Sequence, residues 1–206
     1  MGRQRISLFP LAGALLFPGS HLPLHIFEPR YKALVSDALA RDRLIGMIQP
    51  CEEGHNKPKL YSMGCLGRIT ECEALDDGGF NIILLGLGRF HIARELEVTT
   101  PFRQVEADVE PDRGDVIEVL APAARAAVEQ EARRFADHLG YLVDWSAVAK
   151  LDDMALVNGI AQVAPFDVAA KQSLLEADSL DERVDRVIQL MQFYEHTDKD
   201  GPATLQ

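Results

Sequence analysis

Apolar and polar positions follow two different patterns along this chain, and the change falls near Pro111-Asp112-Arg113-Gly114-Asp115. Before it, glycine and proline punctuate short apolar runs. After it come long alanine-rich and charged stretches with helical spacing. In the first part Ile6 to Leu11, Leu24 to Phe27 and Leu44 to Ile48 read as short strands. Leu60 to Ala74 and Phe80 to Leu96 read as long strands, joined by the hairpin signal Asp76-Asp77-Gly78-Gly79. Phe102 to Val109 alternates, with Val105, Ala107 and Val109 on one side, as a half-buried strand does. Tyr31, Leu34, Val35, Ala38 and Leu39 form one helical face, with Pro29 at the helix start, where a missing N–H costs nothing. These elements predict a small, partly closed β-barrel with one inserted helix over 1–112.

The second part predicts helices over 113–196, then a polar, flexible tail over 197–206. Ala121, Ala124, Val128, Ala132, Phe135 and Leu139 hold one face, and Pro122 fits only near its start. Asp152 or Asp153 caps a second helix that Pro165 stops, and Asp167 caps a short third one. Ser179 with Glu182 makes a capping box ahead of Leu180, Val184, Val187, Ile188, Met191 and Tyr194.

The run from Leu8 to Tyr31 is the most unusual stretch. Pro10, Pro18, Pro23 and Pro29 sit among Leu, Ile and Phe. No regular helix or central strand crosses four positions without an N–H, yet the run is too apolar for a solvated loop. It reads as short strands broken by turns against a core. Glu28 and Arg30 bracket Pro29; Glu28 is expected to accept N–H groups at the helix start while Arg30 pairs locally.

Composition narrows the classes. The 206 residues are 47% hydrophobic and 26% charged, as in ordinary globular chains, and no apolar run approaches the ~18 residues of a membrane helix. Arg3 and Arg5 before an apolar run imitate a secretory leader, but Pro10 and Pro18 interrupt it. A cytoplasmic location is expected. Three cysteines, Cys51, Cys65 and Cys72, suit a reducing compartment. Cys51 with His55 has no second close pair of ligands, so no metal is expected, and Cys65 and Cys72 read as small core hydrophobes. The net charge of −11 divides into −3 up to Asp112 and −8 beyond it, which repels phosphate backbones and argues against nucleic acid.

Catalytic patterns are weak. Gly86-Leu87-Gly88 lacks the third glycine and the helix of a dinucleotide loop, and reads as a kink or bulge in a curved strand. His21 and His25 flank Pro23; without a third ligand they read as loop histidines at a barrel mouth. No serine lies in a G-x-S-x-G elbow.

Several segments, in order, resemble the N-terminal substrate-recognition domain of Lon-type ATP-dependent proteases. They are Leu8-Phe9-Pro10-Leu11, Leu16-Phe17-Pro18-Gly19, Leu22-Pro23-Leu24, Ile26-Phe27-Glu28-Pro29-Arg30-Tyr31, Asp42-Arg43, Ile45-Gly46, Met63-Gly64-Cys65, Ile69-Thr70-Glu71, Gly88-Arg89-Phe90-His91-Ile92 and Lys171-Gln172-Ser173-Leu174-Leu175-Glu176. The resemblance implies an α+β fold, a PUA-like β-barrel followed by a helical bundle. It also implies a non-catalytic module without a cofactor that binds exposed or unfolded polypeptide, as an adaptor or as a helper to a separate protease or chaperone. No G-x-x-x-x-G-K-[ST] occurs in these 206 residues, so ATPase and protease activity are not expected of this polypeptide. Of the many apolar side chains in 8–31, most must be core; Phe17, Leu24, Ile26, Phe27, Arg30 and Tyr31 are the candidate peptide-binding set. An RNA-binding or small-molecule-binding PUA-like domain is the alternative.

Overall fold

The computed structural model describes residues 3–51, 57–110 and 118–199. The chain divides into two compact units, Met1–Val116 and Ile117–Gln206. The expected boundary at 112/113 lies outside the described residues, as does His55.

Six strands and one helix build the first unit: β1 (Arg3–Pro10), β2 (His21–Ile26), α1 (Pro29–Leu39), β3 (Leu44–Ile48), β4 (Met63–Ala74), β5 (Phe80–Glu95) and β6 (Gln104–Val109). The strands lie in the order β2-β5-β4-β3-β1-β6, and β6 pairs again with β5. Only β1–β3 is parallel; the other pairs are antiparallel. The long β5 explains the closure. Its first half pairs with β2, from Phe80 to Leu85, and its second half pairs with β6, from Phe90 to Glu95. Five strands therefore close a ring and β2 stands outside it, so the sheet is mixed and is not a clean barrel.

The core of the ring is Ile6, Leu8, Ile48, Leu66, Phe90, Val105 and Ala107. The alternation expected for 102–109 holds, with Val105 and Ala107 buried. Gln104 is buried as well, because its side chain accepts from Arg5 and donates to Thr100. Cys65 is buried, whereas Cys72 is exposed, contrary to the expectation of a core position. The outer half of β4, Arg68 to Ala74, is largely exposed, so strand pattern alone misplaced that residue.

Gly86-Leu87-Gly88 is a bulge, as expected: Leu66 faces Gly88 and Gly67 faces Gly86, which leaves Leu87 unpaired. Its glycines have a packing reason. A Cβ on Gly86 would overlap the Phe17 carbonyl oxygen. Gly19 then returns the chain with φ +77° and bonds the Gly86 carbonyl at 2.9 Å.

Helices make the second unit: α2 (Pro122–His138), α3 (Trp145–Val148), α4 (Asp153–Val163), α5 (Val168–Leu175) and α6 (Leu180–Lys199). α2, α4 and α5 all pack on α6. Val128, Leu156, Val157, Leu174, Val187 and Met191 supply its buried apolar side chains, and Phe166 bridges Phe135 (5.8 Å) and Tyr194 (5.2 Å). Asp152 and Asp167 cap α4 and α5 through the Ala155 and Ala170 N–H groups, each at 2.7 Å. The Ser179 hydroxyl accepts from the Glu182 N–H at 3.2 Å, but Glu182 reaches back to Asp178 rather than to Ser179. The four-residue α3 was not expected; Asp144 starts it by accepting from the Ser146 and Ala147 N–H groups. α6 runs on to Lys199, past the expected start of the tail, and 200–206 lie outside the described residues.

Candidate functional site

The six candidate residues do not form one surface. Phe17 and Ile26 are core, at 0% and 1% exposure. Tyr31 is buried too: its hydroxyl donates to the Pro10 carbonyl at 2.9 Å and its ring meets Phe9 edge-on at 4.1 Å. Burial pushes the Tyr31 hydroxyl above its ordinary pKa. Leu24 is half-buried. Only Phe27, 63% exposed, and Arg30 stand on the surface.

Arg30 is held from both sides. Its guanidinium lies 4.4 Å over the Tyr31 ring and donates to Glu28 at 2.9 and 3.0 Å. Glu28 is the N-cap of α1, but its carboxylate makes no capping bond. Its carbonyl accepts from the Tyr31 and Lys32 N–H groups instead. The local Arg30 pair outcompetes the expected side-chain cap.

Phe27 is exposed yet held in place. Its ring stacks on His25, centroids 5.9 Å apart. His25 Nδ1 lies 2.9 Å from Asn81 Oδ1, and Asn81 Nδ2 donates to Glu73 Oε2 at 3.0 Å. A carboxylate only accepts, so Glu73 turns the Asn81 amide with its oxygen toward His25. That assigns the proton to His25 Nδ1. The register explains the contact: His25 faces Asn81 on β5, and Asn81 faces Glu73 on β4. A three-strand relay thus fixes one exposed aromatic ring.

The hairpin turn closes the site's other side. Asp77 accepts from the Gly79 N–H at 2.8 Å, Gly78 takes φ +74°, and Lys32 of α1 donates to the Asp77 carbonyl at 3.1 Å. Asn81 and Glu73 escaped the sequence reading. The available signal was their symmetric placement about Asp77 in the turn, four residues before and four after it, which puts them opposite one another. His25, expected as a loop histidine, lies within β2 and stacks on the Phe27 ring.

Pro23 does not break β2. The Gly86 N–H donates to the Ser20 carbonyl at 2.9 Å, and with the His21–Leu85 register this sets the phase of the ladder. Residues 22, 24 and 26 turn their backbone groups toward β5; 21, 23 and 25 turn theirs away. The missing N–H of Pro23 therefore falls on the outer edge, where no ladder bond is lost.

Among the described residues no three His, Cys, Asp or Glu side chains stand together as a metal site, and no helix is long and apolar enough to cross a membrane. Arg89, Glu110 and His91 form a further polar group, with Arg89 donating to Glu110 at 2.8 Å. Burial alone would raise the Glu110 carboxyl pKa, but Arg89 and His91 hold it below its ordinary value.

A closed mixed sheet in one unit and helices packed on α6 in the other define an α+β protein of two units. The chain belongs to the ATP-dependent protease La (LON) substrate-binding domain family, whose model matches residues 5–192. It is 26% identical to Lon protease 2 of Myxococcus xanthus over 91% of this chain and 23% of that one. It is 29% identical to the Lon protease of Parabacteroides distasonis over 89% and 23%. The chain thus spans about a quarter of the length of these relatives. Among solved structures, a Lon N-terminal domain protein from Xanthomonas campestris shares its fold with a TM-score of 0.66 and 22% identity, covering 90% of this chain and 98% of that one. The N-terminal domain of Mycobacterium avium complex Lon protease matches with a TM-score of 0.63 and 18% identity, covering 92% and 98%.

Proposed function

We propose that this chain is a non-catalytic module that binds exposed or unfolded polypeptide, with Phe27 as the anchor of its binding surface. Family membership supports substrate binding as the class of activity. The observation that carries the location is the relay Glu73–Asn81–His25–Phe27, which holds a large apolar ring in solvent at a defined position. Ordering an exposed aromatic before contact lowers the entropy cost of contact, and such rings dominate recognition surfaces. Arg30 is the exposed cation of the set, whereas half-buried Leu24 lies on the opposite face of β2 from His25 and supports the strand from within. Phe17, Ile26 and Tyr31 act from beneath by fixing β2 and α1. In this reading the first unit is the PUA-like barrel and the helices form the accompanying bundle. Delivery of bound segments to a separate protease or chaperone is the role such a module would serve.

Fluorescence anisotropy with unfolded model polypeptides tests it. Saturable binding is expected, and Phe27→Ala should weaken it about tenfold, or ~1.4 kcal/mol, with the melting temperature unchanged. No saturable binding at high micromolar concentration would end the proposal.

A further inference from the structure

The β4–β5 hairpin beside Phe27 is acidic, and this says what the anchor is built to hold. Glu71, Glu73, Asp76 and Asp77 lie on it, and no Lys or Arg occurs from 69 to 88. None of the four takes part in an ion pair among the described residues, although carboxylates elsewhere do, such as Glu95 with Arg103 and Glu106 with Arg94. The nearby cations are engaged. Arg30 is tied to Glu28, and Lys32, which donates to the Asp77 carbonyl at 3.1 Å, offsets only one of the four carboxylate charges. Arg68, across the sheet from Leu85, stands at the far end of the same face.

The side chains on this face follow the register. His25–Asn81–Glu73 form one row and Pro23–Ile83–Glu71 the next. Ile83 is half-buried, and His25, Pro23, Glu71 and Glu73 are exposed. Phe27 and, beyond the His25–Asn81 row, Pro23 and Ile83 thus offer apolar contacts on a face that also carries Glu71 and Glu73. A segment laid on it would set an apolar side chain against Phe27 and bring its neighbours within a Debye length of those carboxylates.

We infer that this face selects extended segments in which an apolar residue is flanked by Lys or Arg, and disfavours segments flanked by Asp or Glu. The inference rests on the Phe27 surface being the binding surface. Charge complementarity supplies the choice: an excess of carboxylates beside an apolar anchor attracts cationic neighbours and repels anionic ones.

Three labelled peptides of equal length test it, each with the same Phe and Leu residues and with Lys, Ser or Asp between them. Binding should follow the order Lys, Ser, Asp, with about tenfold or more between the extremes. Added salt should narrow the spread. The double variant Glu71→Gln/Asp76→Asn, both exposed positions outside the relay, should weaken the Lys peptide and tighten the Asp peptide, with circular dichroism confirming the fold. Equal affinity for all three peptides, or a preference untouched by the double variant, overturns the inference while leaving peptide binding standing. Failure of all three peptides to bind overturns both.

Discussion

Phe27 and Gly86 are the two residues on which most depends, and they act in opposite ways. Phe27 contributes little to the core, so Phe27→Ala should cost binding and leave stability alone. Gly86 contributes only room. Gly86→Ala would drive a methyl into the Phe17 carbonyl oxygen, and a backbone obstacle cannot rotate away. A loss of about 3 kcal/mol or more is expected in chemical denaturation; an unchanged midpoint would contradict the packing described. Sequence showed these residues unequally. Gly86-Leu87-Gly88 was readable as a bulge because a dinucleotide loop would need a third glycine, where His91 stands, and a following helix. Phe27 could not be separated from Phe17 or Ile26, since exposure depends on β2 ending at Ile26 and on β5 covering one side of it. Asn81 and Glu73 are ordinary strand residues until pairing sets them opposite each other.

At the scale of elements, β2 is the informative strand. Its outer edge carries Pro23 at the centre, which removes a donor where another strand would add. Pro23→Val should restore that donor and shift the chain toward larger species in sedimentation at equal concentration; an unchanged distribution would show that the edge is blocked otherwise. In the helical unit two hydrogen-bonded carboxylates, Asp153 and the α5 cap Asp167, shape the pH response. The Leu120 N–H and then Arg125 hold the Asp153 carboxyl below its ordinary pKa, and the Ala170 N–H followed by Tyr194 does the same for Asp167. For such acids the stabilisation is present above the unfolded value of ~3.9 and is lost as pH falls through the lower folded value. The acid limb of unfolding should therefore lie below pH ~4, and Asp153→Asn should make it shallower. Asp152→Ala, which removes the α4 cap, should cost about 1 kcal/mol at neutral pH in urea unfolding. The caps and most strand limits were legible because side chains close in sequence make them. The closure of β5 on both β2 and β6 was not, since it depends on pairings between distant segments.

For the whole molecule, the family is a substrate-binding one, and the net charge of −11 opposes contact with phosphate backbones. Apolar side chains are exposed elsewhere too: Leu142, Val163 and Phe193 in the helical unit. Phe193, 63% exposed like Phe27, meets the Tyr194 ring edge-on at 5.7 Å, and Tyr194 accepts from the Asp167 N–H at 2.8 Å; the first unit is given the binding role because Phe27 stands beside the face of β2, β5 and β4 that carries Glu71 and Glu73. Backbone amide shifts recorded while the Lys-containing peptide is added test that assignment most directly. The account predicts that His25, Phe27, Glu73 and Asn81 shift first and saturate together. Shifts confined to the helical unit around Leu142 or Phe193, with the Phe27 relay silent, would contradict it.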